Sequence, residues 1–185
     1  INGQAVTTSF RSLYQVYNLT AAVAVCSEAG IPLVRAIKYA SGFQIGKQRF
    51  QEFEQCGRHF VKLLSKNQNP VSYDQSIAYI MQQDGPKTLV VAVNDINHTG
   101  YKDTTWLYDV NFEQLRDQPM DVICTGERAF DLAVRLGQIP QKEFNVITEP
   151  DIKKLGSLLG QTQGTVYLMT EIYDANKIME GLHHA

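Results

Sequence analysis

Apolar residues in the first part of the chain recur at the spacing of amphipathic helices. This spacing predicts one helix over residues 17–29 and a second helix that begins at Pro32 and ends near Gly42. The segment 42–55 is mostly polar and contains Gly46, a composition typical of a linker. Because two helices bury too little surface to form a domain, this part of the chain must pack against a further element.

From residue 57 onward the pattern changes to an alternation of strands and helices. Strands are predicted at residues 60–64, 87–93, 121–124, 144–148 and 166–169, and helices near residues 72–83, 111–117, 128–136, 152–159 and 175–182. Residues 89–93 form a continuous apolar run, typical of a strand that is buried on both faces of a parallel sheet. The repeated strand–helix units predict a doubly wound α/β fold. Its mostly parallel sheet has helices on both faces and binds ligands at the carboxyl ends of the strands.

Polar residues at three positions are expected to begin helices in this second part. Ser72 with Gln75, and Asn111 with Gln114, have the spacing of a capping box, in which a side chain bonds the backbone amide three residues on. Asp151 has a side chain suited to cap the helix that follows it. We therefore predict side-chain caps at Ser72, Asn111 and Asp151.

The charge and composition of the chain limit its classes of function. A net charge of −2 over 185 residues gives no electrostatic reason to expect nucleic acid or an anionic membrane as a partner. No apolar stretch reaches the roughly 18 residues of a membrane span, and the first residues lack the pattern of a secretory leader. We expect a cytoplasmic protein that does not span a membrane.

The residue types that serve metal and phosphate sites are not arranged for those roles. The cysteines at positions 26, 56 and 124 form no CxxC pair, and the histidines have no metal-ligand spacing, so reduced thiols and no metal site are predicted. Cys124 lies in an apolar run and is expected to be a small buried hydrophobe. The motifs GxxxxGK[ST], GxGxxG and GxSxG are absent, so no nucleotide-phosphate cradle and no nucleophile elbow is predicted.

A long polar loop, residues 94–105, follows the most apolar strand at its carboxyl end. With the residues just after it, the loop holds three carboxylates and Trp106, the only tryptophan. Loops of this length in compact α/β domains are usually functional, although turn-forming Asp and Asn also suit an ordinary surface loop. Trp106 and Tyr108 either anchor the loop in the core or contact a partner.

This loop resembles a motif of the Mur-ligase-like (MurT-type) subunits of lipid II isoglutaminyl synthase, N-D-N-x-x-D-G-x-D-x-S-W-[IL]-[WY]-D-x-[DN]-F-E. The matching residues are Asn94, Asp95, Gly100, Asp103, Trp106, residues 107–109 and residues 111–113. The middle of the loop departs from the motif, because one residue is added and Thr99 replaces an Asp. The chain therefore resembles the carboxy-terminal part of this family.

The likeness extends on both sides of the loop. Residues 124–129 are similar to the family's strand, T-G and R-A helix start, and residues 66–70 to its K-N-P with two residues inserted. Residues 17–22 look like the end of the ATP-binding central domain of Mur ligases. The resemblance divides the chain into residues 1–45, the helical tail of a central domain, and residues 46–185, a Rossmann-like carboxy-terminal α/β domain.

The resemblance implies an activity and a partner. Members of the family form a heterodimer with a glutamine amidotransferase subunit. The complex uses ATP, Mg²⁺ and ammonia from glutamine to convert the D-glutamate of the lipid II stem peptide to D-isoglutamine in peptidoglycan synthesis. The chain lacks the P-loop and the zinc-ribbon cysteines of the family. We therefore expect it to be a piece of a longer protein, inactive and without a cofactor of its own.

By the family pattern, Asp103 reaches across the interface and completes the Cys–His pair of the amidotransferase. A carboxylate bonded to one imidazole nitrogen fixes the tautomer and orientation of the ring. Small Thr104 and Thr105 follow Asp103, so its carboxylate is expected to project outward. Asp95 is the alternative for this role, although a position near the strand end favours capping of the loop backbone. Asn18 resembles a Mur-ligase asparagine that contacts adenine, and a polar residue at a helix start is the alternative interpretation.

Two other functions remain open from the sequence. The first is the acceptor-binding domain of an ordinary Mur-type amino-acid ligase, although no cluster of Arg with Asp or Asn suited to an amino-acid pocket lies near the Asn69-Pro70 turn. The second is a non-catalytic, Rossmann-like docking module. In that case the Asp103 carboxylate has no role in glutamine hydrolysis.

Overall fold

The computed structural model describes residues 1, 3–7, 13–42, 50–65, 68–95, 102–171 and 174–183. The chain forms two compact units, Ile1–Gly46 and Lys47–Ala185. Within the described ranges, no helix combines the length and the apolar character that a membrane crossing requires.

The first unit is built on two helices, α1 (Leu13–Glu28) and α2 (Leu33–Ser41). Val23 of α1 and Ala36 and Ile37 of α2 form its buried core. The prediction that Pro32 is the first helical residue is off by one, because Pro32 has an extended ψ of 131° and precedes the first helical residue. The two predicted helices are otherwise confirmed.

The second unit contains a six-stranded sheet in the order β1-β2-β6-β3-β4-β5. The strands are β1 (Phe50–Gln55), β2 (Arg58–Ser65), β3 (Lys87–Ala92), β4 (Asp121–Thr125), β5 (Asn145–Thr148) and β6 (Thr165–Glu171). β1 pairs antiparallel with β2, and the other neighbouring strands pair in parallel. The chain builds the sheet outward to β5 and then returns to insert β6 between β2 and β3.

The prediction of a linker over residues 42–55 is wrong in its last part, where β1 lies. β1 forms a hairpin with β2 through Cys56 and Gly57, whose φ values of 50° and 71° suit the two-residue turn of a tight hairpin. Phe53 stacks on Phe60 of β2 with ring centroids 5.2 Å apart. β1 has only two apolar residues, Phe50 and Phe53, and their spacing of three does not follow the alternation that predicts a strand.

Helices cover both faces of the sheet. One face is covered by α3 (Pro70–Met81), α4 (Ala129–Gly137) and two short 3₁₀ helices, Thr105–Tyr108 and Phe112–Leu115. The other face is covered by α5 (Leu155–Leu159) and α6 (Ala175–His183). The predicted doubly wound, mostly parallel α/β fold is confirmed.

The helix starts differ in part from the predicted caps. The prediction that Ser72 caps α3 is wrong: Asn69 is the cap, its side chain accepts a hydrogen bond from the Ser72 N–H at 3.1 Å, and Pro70 follows it. Asn111 precedes a 3₁₀ helix but makes no side-chain capping bond. Asp151 is confirmed as a cap, because its carboxylate accepts from a backbone amide two residues on.

Candidate functional site

The carboxyl ends of β3 and β4 meet at a close contact that only glycine allows. Gly126, directly after β4, has a φ of 92°. A Cβ atom there would lie 2.6 Å from both the carbonyl oxygen of Val93 and the Oδ1 atom of Asn94. The Glu127 N–H donates to the same Asn94 Oδ1 at 2.8 Å, and the Arg128 N–H donates to the Val93 carbonyl at 2.9 Å. The start of α4 is thus hydrogen-bonded to the end of β3.

The Asp95 carboxylate is paired with Arg128. Its two oxygens accept from the Arg128 Nε and Nη2 atoms at 2.6 and 3.1 Å, a bidentate arrangement. The hydrogen bonds that Arg128 donates to Asp95 raise the pKa of Arg128 above its usual value. The Asp95 N–H donates to the Glu127 carboxylate at 3.1 Å. The Asp95–Arg128 pair therefore connects the end of β3 to the start of α4. Local sequence reasoning missed this role of Arg128.

Asp103 is half-buried and bonded on its main chain and its side chain. One carboxylate oxygen accepts from the Thr105 N–H at 2.8 Å, and the other accepts from the Thr105 hydroxyl at 2.8 Å. The Asp103 carbonyl accepts from the Nε2 atom of Gln68 at 3.2 Å. The sequence predicted a carboxylate that projects outward from the loop. In the structure the carboxylate is bonded to Thr105, which gives it a defined direction.

Trp106 anchors the segment that follows Asp103. Its side chain is 8% exposed, and its ring meets Tyr73 of α3 edge-on at a centroid distance of 4.9 Å. Tyr108 is 53% exposed, with its ring 5.7 Å from the guanidinium of Arg135. Of the two alternatives left open by the sequence, the anchor in the core holds for Trp106, whereas Tyr108 presents half its surface to solvent.

Arg135 of α4 holds the same segment from a second side. The side chain is 6% exposed and donates to the carbonyls of Leu107 and Val110 at 3.3 and 3.1 Å. It also donates to both carboxylate oxygens of Glu113 at 2.9 Å, which lowers the pKa of Glu113. A charged residue one position before Leu136 on the buried face of a helix was the available sequence signal for this role.

Asn18 and Asp103 lie in different compact units. Asn18 is exposed on α1. Lys66, Asn67 and Gly100, on which part of the resemblance rests, lie outside the described residues, as does Thr99, where the chain departs from the motif.

The described part of the site offers neither an accessible thiol nor a set of metal ligands. Cys124 is fully buried in β4, as predicted, and burial raises the pKa of its thiol to about 12. Among the described residues, no group of three or more His, Cys, Asp or Glu side chains is placed to hold a metal ion. The chemistry that these residues offer is that of an oriented carboxylate at the edge of the sheet.

Sequence comparison relates the chain to ligase subunits. A family model described as "MurT ligase C-terminal" matches residues 64–175. The lipid II isoglutaminyl synthase (glutamine-hydrolyzing) subunit MurT of Staphylococcus aureus (strain COL) is 32% identical over 158 residues, which cover 83% of this chain and 35% of the relative. The MurT subunit of Streptococcus pneumoniae (strain ATCC BAA-255 / R6) is 31% identical over 139 residues, covering 74% and 30%. The chain spans about a third of the length of these curated relatives.

Solved structures of Mur ligases have a similar fold. MurF from Acinetobacter baumannii superimposes with a TM-score of 0.71 at 20% identity, over 97% of this chain and 39% of that one. MurC from Thermotoga maritima superimposes with a TM-score of 0.62 at 13% identity, over 94% and 38%. At these identities the comparison shows the fold alone, and it agrees with the predicted Mur-ligase-like architecture.

Proposed function

The chain belongs to the MurT family of lipid II isoglutaminyl synthase subunits, and from this premise we propose that it is part of the enzyme that amidates the lipid II stem peptide. In this proposal the full-length subunit uses ATP to activate the D-glutamate carboxylate as an acyl phosphate. Ammonia released from glutamine by an amidotransferase subunit then displaces phosphate and forms D-isoglutamine. The second unit of this chain docks the amidotransferase.

The residues of this chain do not fit an ATP–Mg²⁺ site on their own. The sequence lacks a glycine-rich phosphate loop, and the described residues provide no cluster of metal ligands. We assign no step of phosphoryl transfer to them. Asn18 on α1 remains a proposed adenine contact of the full-length subunit, and its exposure is compatible with that role.

The role proposed for Asp103 is to orient the histidine of the amidotransferase. A histidine that deprotonates a thiol must present one particular nitrogen, and a carboxylate bonded to the other nitrogen fixes that tautomer and stabilises the imidazolium. The observation that supports this role best is the direction imposed on the Asp103 carboxylate by two hydrogen bonds from Thr105. Asp95 is less suited to it, because its carboxylate is held in a bidentate ion pair with Arg128, whereas the Thr105 groups that bond the Asp103 carboxylate are neutral and lie in its own segment.

The support beneath Asp103 also suits this role. A catalytic group must be held to within about 0.5 Å of its productive position. Trp106 packs on α3, and Arg135 of α4 binds the carbonyls of the segment, so the residues directly after Asp103 are attached to two helices. A carboxylate supported in this way is preorganised before a partner arrives.

The test is glutamine hydrolysis by the complex. Adding the full-length subunit to the amidotransferase should raise the rate of ammonia release, and Asp103→Asn should abolish most of the gain. In serine proteases the corresponding Asp-to-Asn change lowers turnover by about 10⁴, which sets an upper bound here. Asp84→Asn is the matched control, because Asp84 is an exposed aspartate just before β3. It lies at the amino ends of the parallel strands, whereas Asp103 follows their carboxyl ends.

The outcome separates the proposal from its alternatives. If the Asp103→Asn subunit binds the amidotransferase and stimulates it as fully as the parent, the domain is a docking module whose carboxylate has no catalytic role. If the parent subunit binds the amidotransferase but does not stimulate it, the docking role survives and the supply of an aspartate to the partner is refuted.

A further inference from the structure

Asp103 is held from two directions. From within its own segment, the N–H and hydroxyl of Thr105 bond its carboxylate. From outside that segment, the side-chain amide of Gln68 donates to its main-chain carbonyl at 3.2 Å. Gln68 lies in the connection between β2 and α3, 35 residues earlier in the chain. The Gln68 bond therefore fixes the Asp103 backbone relative to a different part of the sheet edge.

Gln68 is itself fixed by its surroundings. Its φ of 43° lies in the left-handed region, which residues other than glycine rarely adopt. Its main-chain N–H donates at 3.0 Å to the carboxylate of Glu171, the last residue of β6, which is 4% exposed. A hydrogen bond from an amide to a carboxylate is stronger than one between neutral groups. The next residue, Asn69, caps α3, so the backbone is constrained on both sides of Gln68.

We infer that Gln68 is a positioning residue for Asp103, connecting its backbone through Glu171 to the end of β6. This inference rests on the proposed function. An orienting carboxylate must stand within about 2.6–3.2 Å of the imidazole nitrogen, and a misplacement of about 1 Å lowers rates by about 100-fold. A bond to the Asp103 carbonyl controls the position of the carboxylate without contacting the reacting groups. Gln68 thus acts on glutamine hydrolysis through Asp103.

Two substitutions remove the side-chain amide in different ways. Gln68→Gly leaves the main-chain N–H for Glu171 and suits a φ of 43°, so it deletes the side chain while relieving the backbone. Gln68→Met keeps the length of the side chain without its donor. Gln138→Met is the matched control, because Gln138 is exposed at the carboxyl end of α4.

The experiment measures glutamine hydrolysis by the full-length subunit in complex with the amidotransferase. Both Gln68 variants should lower kcat by about ten- to a hundredfold, whereas KM for glutamine and the Kd of the complex should match the parent. The thermal midpoint of Gln68→Gly should also match the parent, which excludes a loss through unfolding. In the Asp103→Asn background, Gln68→Gly should cause no further loss of kcat.

Each failure has its own meaning. Parental kcat in both Gln68 variants, with Asp103→Asn inactive, overturns the positioning role and leaves the proposed function standing. A further loss from Gln68→Gly in the Asp103→Asn background overturns it too, because Gln68 then acts by another route. Full activity of Asp103→Asn overturns the proposed catalytic role of Asp103 and this inference together, and leaves only the docking role.

Discussion

Gly126 determines how closely the start of α4 approaches the end of β3. At this position the left-handed φ of 92° and the contact with Val93 both exclude a side chain. The neighbouring Asp95–Arg128 pair joins the same two elements through a bidentate ion pair. Among the loop carboxylates, Asp95 therefore joins two elements through an ion pair, whereas the Asp103 carboxylate accepts from the N–H and hydroxyl of Thr105 within its own segment.

Gly126→Ala should destabilise the protein by about 2–3 kcal/mol, because the added Cβ meets two oxygens in a strained backbone conformation. For a chain of this length we expect the thermal midpoint to fall by about 5–10 °C. Differential scanning calorimetry measures the shift. Gly137→Ala is the control, because Gly137 lies in α4 with open space around it, and alanine there should be neutral or slightly stabilising. An unchanged midpoint for Gly126→Ala would refute the close contact.

At the scale of elements, the two 3₁₀ helices after Asp103 are held mainly by long-range contacts. Trp106 packs on Tyr73 of α3, and the Asn111 N–H donates to Asp74 of the same helix at 2.8 Å. Arg135 of α4 binds the segment from the other side. The segment therefore depends on both helices, and its order should be sensitive to a change in either one.

Arg135→Met should loosen this segment. The substitution keeps the apolar stem and removes the donors to two carbonyls and to the Glu113 carboxylate, so we expect a loss of about 2–3 kcal/mol. Urea unfolding measures the loss of stability. Compared with the parent protein, the rate of amide hydrogen exchange should increase more over residues 105–115 than over the rest of the chain. Lys153→Met, at an exposed position, should leave both measurements unchanged. An increase in exchange rate that is equal across the whole chain after Arg135→Met would contradict a local role.

At the scale of the whole molecule, local pattern predicted the strands of the parallel sheet, most clearly β3, whose continuous apolar run reflects burial on both faces. β1 was missed because a strand on the edge of a sheet needs few apolar residues and depends on its partner strand. The Asp103 loop was located correctly at a strand end. Its contact with Gln68 was not predicted, because a hydrogen bond across 35 residues leaves no periodic signal in the sequence. The bonds from Thr105, two residues on, are local, and the sequence reasoning missed them.

The arrangement of the sheet explains why these contacts meet at one edge. The chain inserts β6 between β2 and β3, which brings Glu171 beside the connection that holds Gln68, and Gln68 contacts the segment after β3. Doubly wound folds place their chemistry at such reversals of strand order. A carboxylate at this edge can face a second protein while its support stays within the domain.

A structure of the full-length subunit bound to the amidotransferase of the proposed complex would show directly whether Asp103 contacts the partner's histidine. We expect a carboxylate oxygen of Asp103 to lie about 2.6–3.2 Å from a ring nitrogen of the histidine that serves the reactive cysteine. An Asp103 carboxylate that faces only Thr105 in the assembled complex, with that histidine bonded to a different acceptor, would contradict it.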